Sequence, residues 1–177
     1  MNLYKNLIVM KRISLVILTV LMMSPILLAQ EKQSRREMKK AKKEKMAQQV
    51  QALVESKDYT FLARSATTMR GKTIQLTGGY NLTVKNDSAT AYLPFFGVAY
   101  AAGYGTNDSG IEFDNEMSNY RYEMRKKSHD IFFEARSSND NYRVHLSVSP
   151  SGYASLNVDS NNRQGMRFNG VMKGLGL

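Results

Sequence analysis

Cysteine is absent from the chain. That absence excludes thiolate zinc sites, cysteine nucleophiles and a lipobox-type lipid anchor. Secreted eukaryotic domains of this size commonly carry disulfides, so a cysteine-free exported chain points to a bacterial envelope protein that stands on its hydrophobic core alone. Histidine is nearly absent as well, with only His129 and His145. Each reads as a surface residue of its own strand, His129 beside Asp130 and His145 on a polar face. As a metal pair, completed by Asp130 or Glu134, they would need adjacent strands in register, and nothing here has HExxH-like spacing. No metal site is assigned.

Other signatures are missing too. The chain has no G-x-S-x-G elbow, no P-loop and no dinucleotide fingerprint, which removes support for serine hydrolysis, nucleotide hydrolysis and Rossmann chemistry. Around Asn107, Asp108 and Ser109 nothing resembles an EF-hand. The one acidic alternation is Glu112, Asp114 and Glu116, whose side chains share a side of an extended segment. A glycosidase-like pair is conceivable there, but beside a glycine-rich loop such charges are ordinarily solvated edge decoration. A hydrolase is therefore the remote alternative. No catalytic residue and no cofactor is assigned, and the reading favours a non-enzymatic protein.

What the chain does contain begins with its leader. Lys5, Lys11 and Arg12 precede an uncharged apolar run from Ile13 to Ala29, and Gln30–Glu31 then turns abruptly polar. This is the pattern of a secretory signal peptide over residues 1–29, with either Met1 or Met10 as a start. Its cleavage would leave no transmembrane segment, and the expected location is the periplasm, cell envelope or exterior. The net charge of +10 is uneven. Residues 30–58 hold nine basic and five acidic groups, whereas the remainder after Asp58 is only mildly basic.

Residues 30–57 read as a basic helical segment, free of Gly and Pro and rich in strong helix formers. Met46, Val50, Leu53 and Val54 form an apolar stripe at helical spacing in its second half, which should dock on the domain. Arg35, Arg36, Lys39, Lys40, Lys42 and Lys43 crowd its front, a composition that suits polyanions. Exported chains rarely meet nucleic acid, so anionic lipid or acidic glycan is the expected partner. Interspersed Glu37 and Glu44 can instead pair with Lys40 along a solvated helix.

After Tyr59 the period changes to two. Tyr59–Phe61–Ala63, Leu82–Val84, Ile131–Phe133–Ala135, Tyr142–Val144–Leu146–Val148 and Ala154–Leu156–Val158 each alternate with polar residues. Such strands pack one face and wet the other. The turns between them are short, which requires antiparallel neighbours. The expectation over residues 58–177 is a mainly β domain, an antiparallel sandwich or open barrel of about eight to ten strands, with no second helix.

The stretch YLPFFGVAYAAGYG, from Tyr92 to Gly105, carries five aromatic rings. It should continue as a strand from Phe95 to Tyr100 after a bend at Pro94, then enter the longest loop. Core packing explains most of its rings. A ligand rim is the functional reading, with Tyr92, Phe96, Tyr100 and Tyr104 joined by Arg163. In the segment Ser160–Gln164, Asn161 and Asn162 favour a left-handed corner, and Arg163 supplies a planar donor suited to a carboxylate or sugar. Asp87–Ser88–Ala89 resembles a short bacterial O-glycosylation acceptor, which marks Ser88.

Three blocks in order, YTFLARSATTMRGKTIQLTGGYNLTV, YLPFFGVAY and SVSPSGYASLNVDSNNRQGMRFNG, resemble the Bacteroidetes domain-of-unknown-function family numbered forty-two fifty-one. The likeness runs from Ser56 to Lys173 and is most specific at Tyr92–Gly97 and Ser160–Gln164. It implies a small secreted or envelope protein, supplies no catalytic residue, and leaves the basic helix outside. The leading expectation is an exported binding domain for an apolar, lipidic or glycan ligand or an envelope protein. The alternative is a structural protein held to an anionic surface by its helix.

Overall fold

The computed structural model describes residues 34–100, 110–126, 128–138 and 140–174. The leader, Tyr104 and the loop residues Asn107 to Ser109 lie outside them. The chain divides into two compact units, Met1–Lys42 and Lys43–Leu177. Residues 34–56 form helix α1. In its second half Val50 and Val54 are buried with the domain core while Met46 and Leu53 remain partly exposed. The stripe therefore docks as its spacing requires. No described helix is long and apolar enough to cross a membrane.

Ten antiparallel strands follow, and they make one sheet nearly closed into a barrel. They are β1 (Asp58–Thr68), β2 (Thr73–Gln75), β3 (Asn81–Lys85), β4 (Ser88–Pro94), β5 (Gly110–Glu116), β6 (Ser118–Met124), β7 (His129–Arg136), β8 (Asn141–Val148), β9 (Tyr153–Ser160) and β10 (Met166–Gly174). The order across the sheet is β5-β4-β3-β1-β10-β9-β8-β7-β6, with β2 attached to β1. No second helix occurs among the described residues.

Two meanders, β3–β4–β5 and β6 to β10, are thus sewn together by β1. It pairs with β10 on one side and with β3 on the other. A bulge at Arg64 interrupts the β1–β10 register and lets a strand of 11 residues curve around the core. The inward positions are Tyr59, Phe61, Leu82, Leu93, Ile111, Ile131, Leu146, Leu156 and Phe168, each at most 2% exposed. Side chains rather than a ladder finish the closure. The amide of Asn115 on β5 donates to the Arg136 carbonyl at the end of β7 (2.5 Å), and the rings of Phe113 and Tyr142 meet at 5.5 Å.

Two expectations are corrected. Phe95–Tyr100 is not a strand; only Ala99 makes an isolated bridge, to Arg163. A proline ends β4 because it cannot donate to a ladder, and the chain then pairs irregularly with the 162–164 corner. Asn161 and Asn162 are not left-handed; Lys57, Asn86 and Asn119 are. Lys57 takes that conformation to end α1, and Asn86 to turn β3 into β4. The acidic alternation does lie on an extended segment: residues 110–116 form a full strand, whose Ile111 and Phe113 face the core while Glu112, Asp114 and Glu116 face solvent.

Candidate functional site

The aromatic segment builds a bracket. Tyr92 points outward from β4 and stacks on Tyr80 at 5.5 Å. The backbone of Tyr100 donates to Asn162 O (2.8 Å) and that of Gln164 to Val98 O (3.0 Å). Arg163 Nη1 donates to Gly110 O at 2.6 Å, and its guanidinium lies 5.5 Å from the Phe95 ring centre. Phe96 and Tyr100 stay exposed. Beneath the corner, Ser160 Oγ accepts from the backbone of Asn162 and Arg163 and donates to Asp140. Arg163 and the aromatic stretch are therefore brought together, with Arg163 engaged by Phe95 rather than by Tyr92, Phe96 or Tyr100.

The other sequence candidates are dispersed. Arg35, Arg36, Lys39, Lys40, Lys42 and Lys43 are exposed along α1. Ser88 is exposed at the start of β4, just after Asp87, whose carboxylate holds Lys57 Nζ at 2.8 Å. Glu112, Asp114 and Glu116 lie on the solvent side of β5, and Asp114 accepts from Thr90 Oγ1 (2.7 Å).

The histidines face opposite ways, although β7 and β8 are neighbours in register. His129 is buried, with Nδ1 at 2.8 Å from the Tyr122 hydroxyl. His145 stands outside, stacked on Phe132 at 4.3 Å, with Arg121 on that ring at 5.3 Å. Among the described residues no cluster suited to a metal forms. His129 is thus no surface residue, because the parity of β7 turns it inward.

Asp130, next to it, points outward yet is only 3% exposed. Arg125 Nε lies 3.0 Å from Oδ2 and Ser128 Oγ donates to it at 3.2 Å. The His145 Nε2 contact of 3.5 Å lacks hydrogen-bond geometry. Burial works against the charge, but the hydroxyls of Ser147 and Ser128, the imidazole and Arg125 outweigh it and hold the carboxyl below its ordinary range. A depressed carboxyl stabilises the fold above its unfolded-state pKa near 4, and that contribution is lost as pH falls through the folded value. Asp130→Asn should therefore cost about 2 kcal/mol at pH 7. The gap to wild type should begin to narrow below about pH 5 and go on narrowing as pH falls through the lowered folded-state pKa of Asp130; a gap independent of pH in thermal melts would remove this role.

Sequence reasoning missed one broad concavity of the surface. A groove of about 780 Å³ runs between α1 and β10. Met46, Val50 and Leu53 form its helical wall, Val171 and Met172 its strand wall, and the β8–β9 turn at Ser151–Gly152 one end. Gly152 adopts φ +82°, and its carbonyl accepts from Met172 N (2.8 Å), which seats the turn against β10. One signal was available in the sequence. Val171 is an apolar residue on the outward parity of β10, and so is its register partner Leu62 on β1.

Among the described residues, Arg64 and Lys173 are the only charged ones on the groove wall. Arg64 also borders a second depression, of about 470 Å³, lined by Ser65, Ser147, Ser149, Ser155 and Asn169 beside Tyr153. An apolar trough and a hydroxyl-rich one thus share a single guanidinium. The first is of ligand-pocket size and chemistry, an apolar surface with few polar groups.

No curated protein matches the chain. The crystal structure of a DUF4251 family protein from Bacteroides eggerthii shares the fold. It aligns with a TM-score of 0.58 at 16% identity over 73% of this chain and 88% of the other. The profile of the family described as "Domain of unknown function (DUF4251)" matches residues 41–172. That span takes in the docked half of α1 with Lys42 and Lys43, so the helix is not wholly outside the likeness. With three-quarters of its length inside that match, the chain belongs to the DUF4251 family.

Proposed function

We propose that this protein is a non-enzymatic binding domain of the bacterial cell envelope that holds an apolar chain in the α1–β10 groove. The observation that carries the reading is the groove itself, about 780 Å³ with Met46, Val50, Leu53, Val171 and Met172 on its walls. The barrel interior is filled by side chains at or near zero exposure, so the ligand sits outside the barrel, under the helix. Export is supported by the basic and then apolar leader ahead of Gln30. Tyr92 and Arg163 serve packing in this arrangement, leaving Phe96 and Tyr100 as exposed rings for a secondary contact.

Because the chain has no tryptophan, an environment-sensitive apolar dye can be followed against a low background. Single-chain lipids should displace it. A lipid at 100 times its Kd should add about 2.7 kcal/mol of stability. Val171→Arg, which puts a charge into the apolar wall, should weaken binding at least tenfold. Failure of every acyl chain to bind would defeat the reading. In the second reading the basic front of α1 docks the protein to an anionic surface; it is favoured by the exposure of all six named cations. Charge reversal at Lys39, Lys40, Lys42 and Lys43 separates the two, since only surface docking requires those residues.

A further inference from the structure

We infer that the groove's ligand is a phosphate-bearing lipid, its acyl chain between α1 and β10 and its phosphate at Arg64, with the rest of its head on the serine row. This rests on the groove reading and names the ligand class. Charge is the first argument. Among the described residues the groove is lined by two cations, Arg64 and Lys173, and by no carboxylate side chain. Among the described residues neither cation has an acidic partner within salt-bridge reach. Two exposed positive charges at the edge of an apolar wall, without an acidic partner, favour an anionic group at the groove's mouth.

Register supplies the second argument. Ser147 pairs with Ser155, Ser155 with Asn169, and Asn169 with Ser65. Four short polar side chains therefore stand in one row across β8, β9, β10 and β1. Small groups in a row leave a trough between Arg64 and the exposed Tyr153. The Ser147 hydroxyl is given to Asp130, but the hydroxyls of Ser65 and Ser155 and the carboxamide of Asn169 both donate and accept, which suits phosphate oxygens and the hydroxyls of a glycerol or sugar. Asp130, opposite Ser147 at the far end of the row, is held by Arg125, which also meets Glu123, so the phosphate belongs at the Arg64 end. A fatty acid would meet Arg64 and leave the row unused, whereas a phosphate ester on a polyol reaches both.

The test is calorimetric titration of the purified protein with four probes. These are lysophosphatidic acid, the monoacylglycerol and the free fatty acid of the same chain, and glycerol 3-phosphate. The phosphate lipid should bind at least tenfold more tightly than the monoacylglycerol and more tightly than the fatty acid. Arg64→Gln should erase that preference, and Ser155→Leu, which fills the trough, should reduce it. If Arg64→Gln does not fold, Lys173→Gln, on an exposed residue at the same wall, should reduce the preference in its place. Equal affinity for the neutral and phosphate lipids would overturn this inference and leave the groove reading standing. No binding by any lipid would end both. Glycerol 3-phosphate competing as well as the lipid would reduce the site to a phosphate site and overturn the two-part arrangement. A dimer that Val171→Arg dissociates, with no lipid bound, would make a second copy the occupant and likewise overturn it.

Discussion

Replacing Gly170 with alanine is expected to cost at least about 3 kcal/mol, the upper end for overpacking and beyond it if the backbone cannot shift. Gly170 sits on β10 opposite Ala63, immediately before the bulge at Arg64. A methyl at position 170 would overlap the Leu62 carbonyl oxygen, lie 2.8 Å from its carbonyl carbon and press at 3.0 Å on the Phe61 ring. The obstacle is main chain in the longest pairing of the sheet, so no rotamer change relieves it. For a domain of this size the melting temperature should fall by about 10 °C or more. Gly79→Ala is the control, because a methyl there meets nothing within 4 Å; it should melt within about 2 °C of wild type. If Gly170→Ala melts as Gly79→Ala does, the close approach of β1 and β10 is wrong.

Phe61→Ala should cost about 3–5 kcal/mol, the usual range for emptying a buried phenyl site. Phe61 is fully buried at the middle of β1, with Met172 across one ladder and Leu82 across the other. Removing the ring opens a cavity where the two meanders join, and backbone pairing on both sides limits how far the walls can relax. Leu62→Ala, one residue on, removes a half-exposed side chain on the opposite face and should cost about 1 kcal/mol or less. Chemical denaturation of the two variants decides the matter. A larger loss for Leu62→Ala would mean that the wrong face of β1 has been placed inside.

Both predictions depend on β1, the strand that joins sequence-distant partners. Its alternation was legible from Tyr59 to Ala63, and so was the inward parity of Leu82, Ile131, Leu146 and Leu156, because a half-buried strand must repeat every two residues. Short turns made antiparallel neighbours of β3 with β4 and of β6 through β10. The helical stripe of Met46, Val50, Leu53 and Val54 announced a docked helix, and the order of three blocks announced the family. The strand at residues 110–116 was harder to see, since its alternate positions are acidic and only Ile111 and Phe113 mark the inner face.

What the sequence by itself determined is local: which residues of each element face the core, where the chain turns, and where the charge lies. The tertiary structure decided what period-two alternation cannot encode, the pairing of β1 with β3 and β10 across long chain separations. That pairing places Leu62 beside Val171 and aligns Ser147, Ser155, Asn169 and Ser65 in one row. Together with the docking of α1 it sets the apolar groove against the polar trough at Arg64. The physical reason is that parity fixes a side chain's face but not its neighbour. Neighbours are chosen by register, bulge and closure, and all three depend on contacts between residues far apart in the chain.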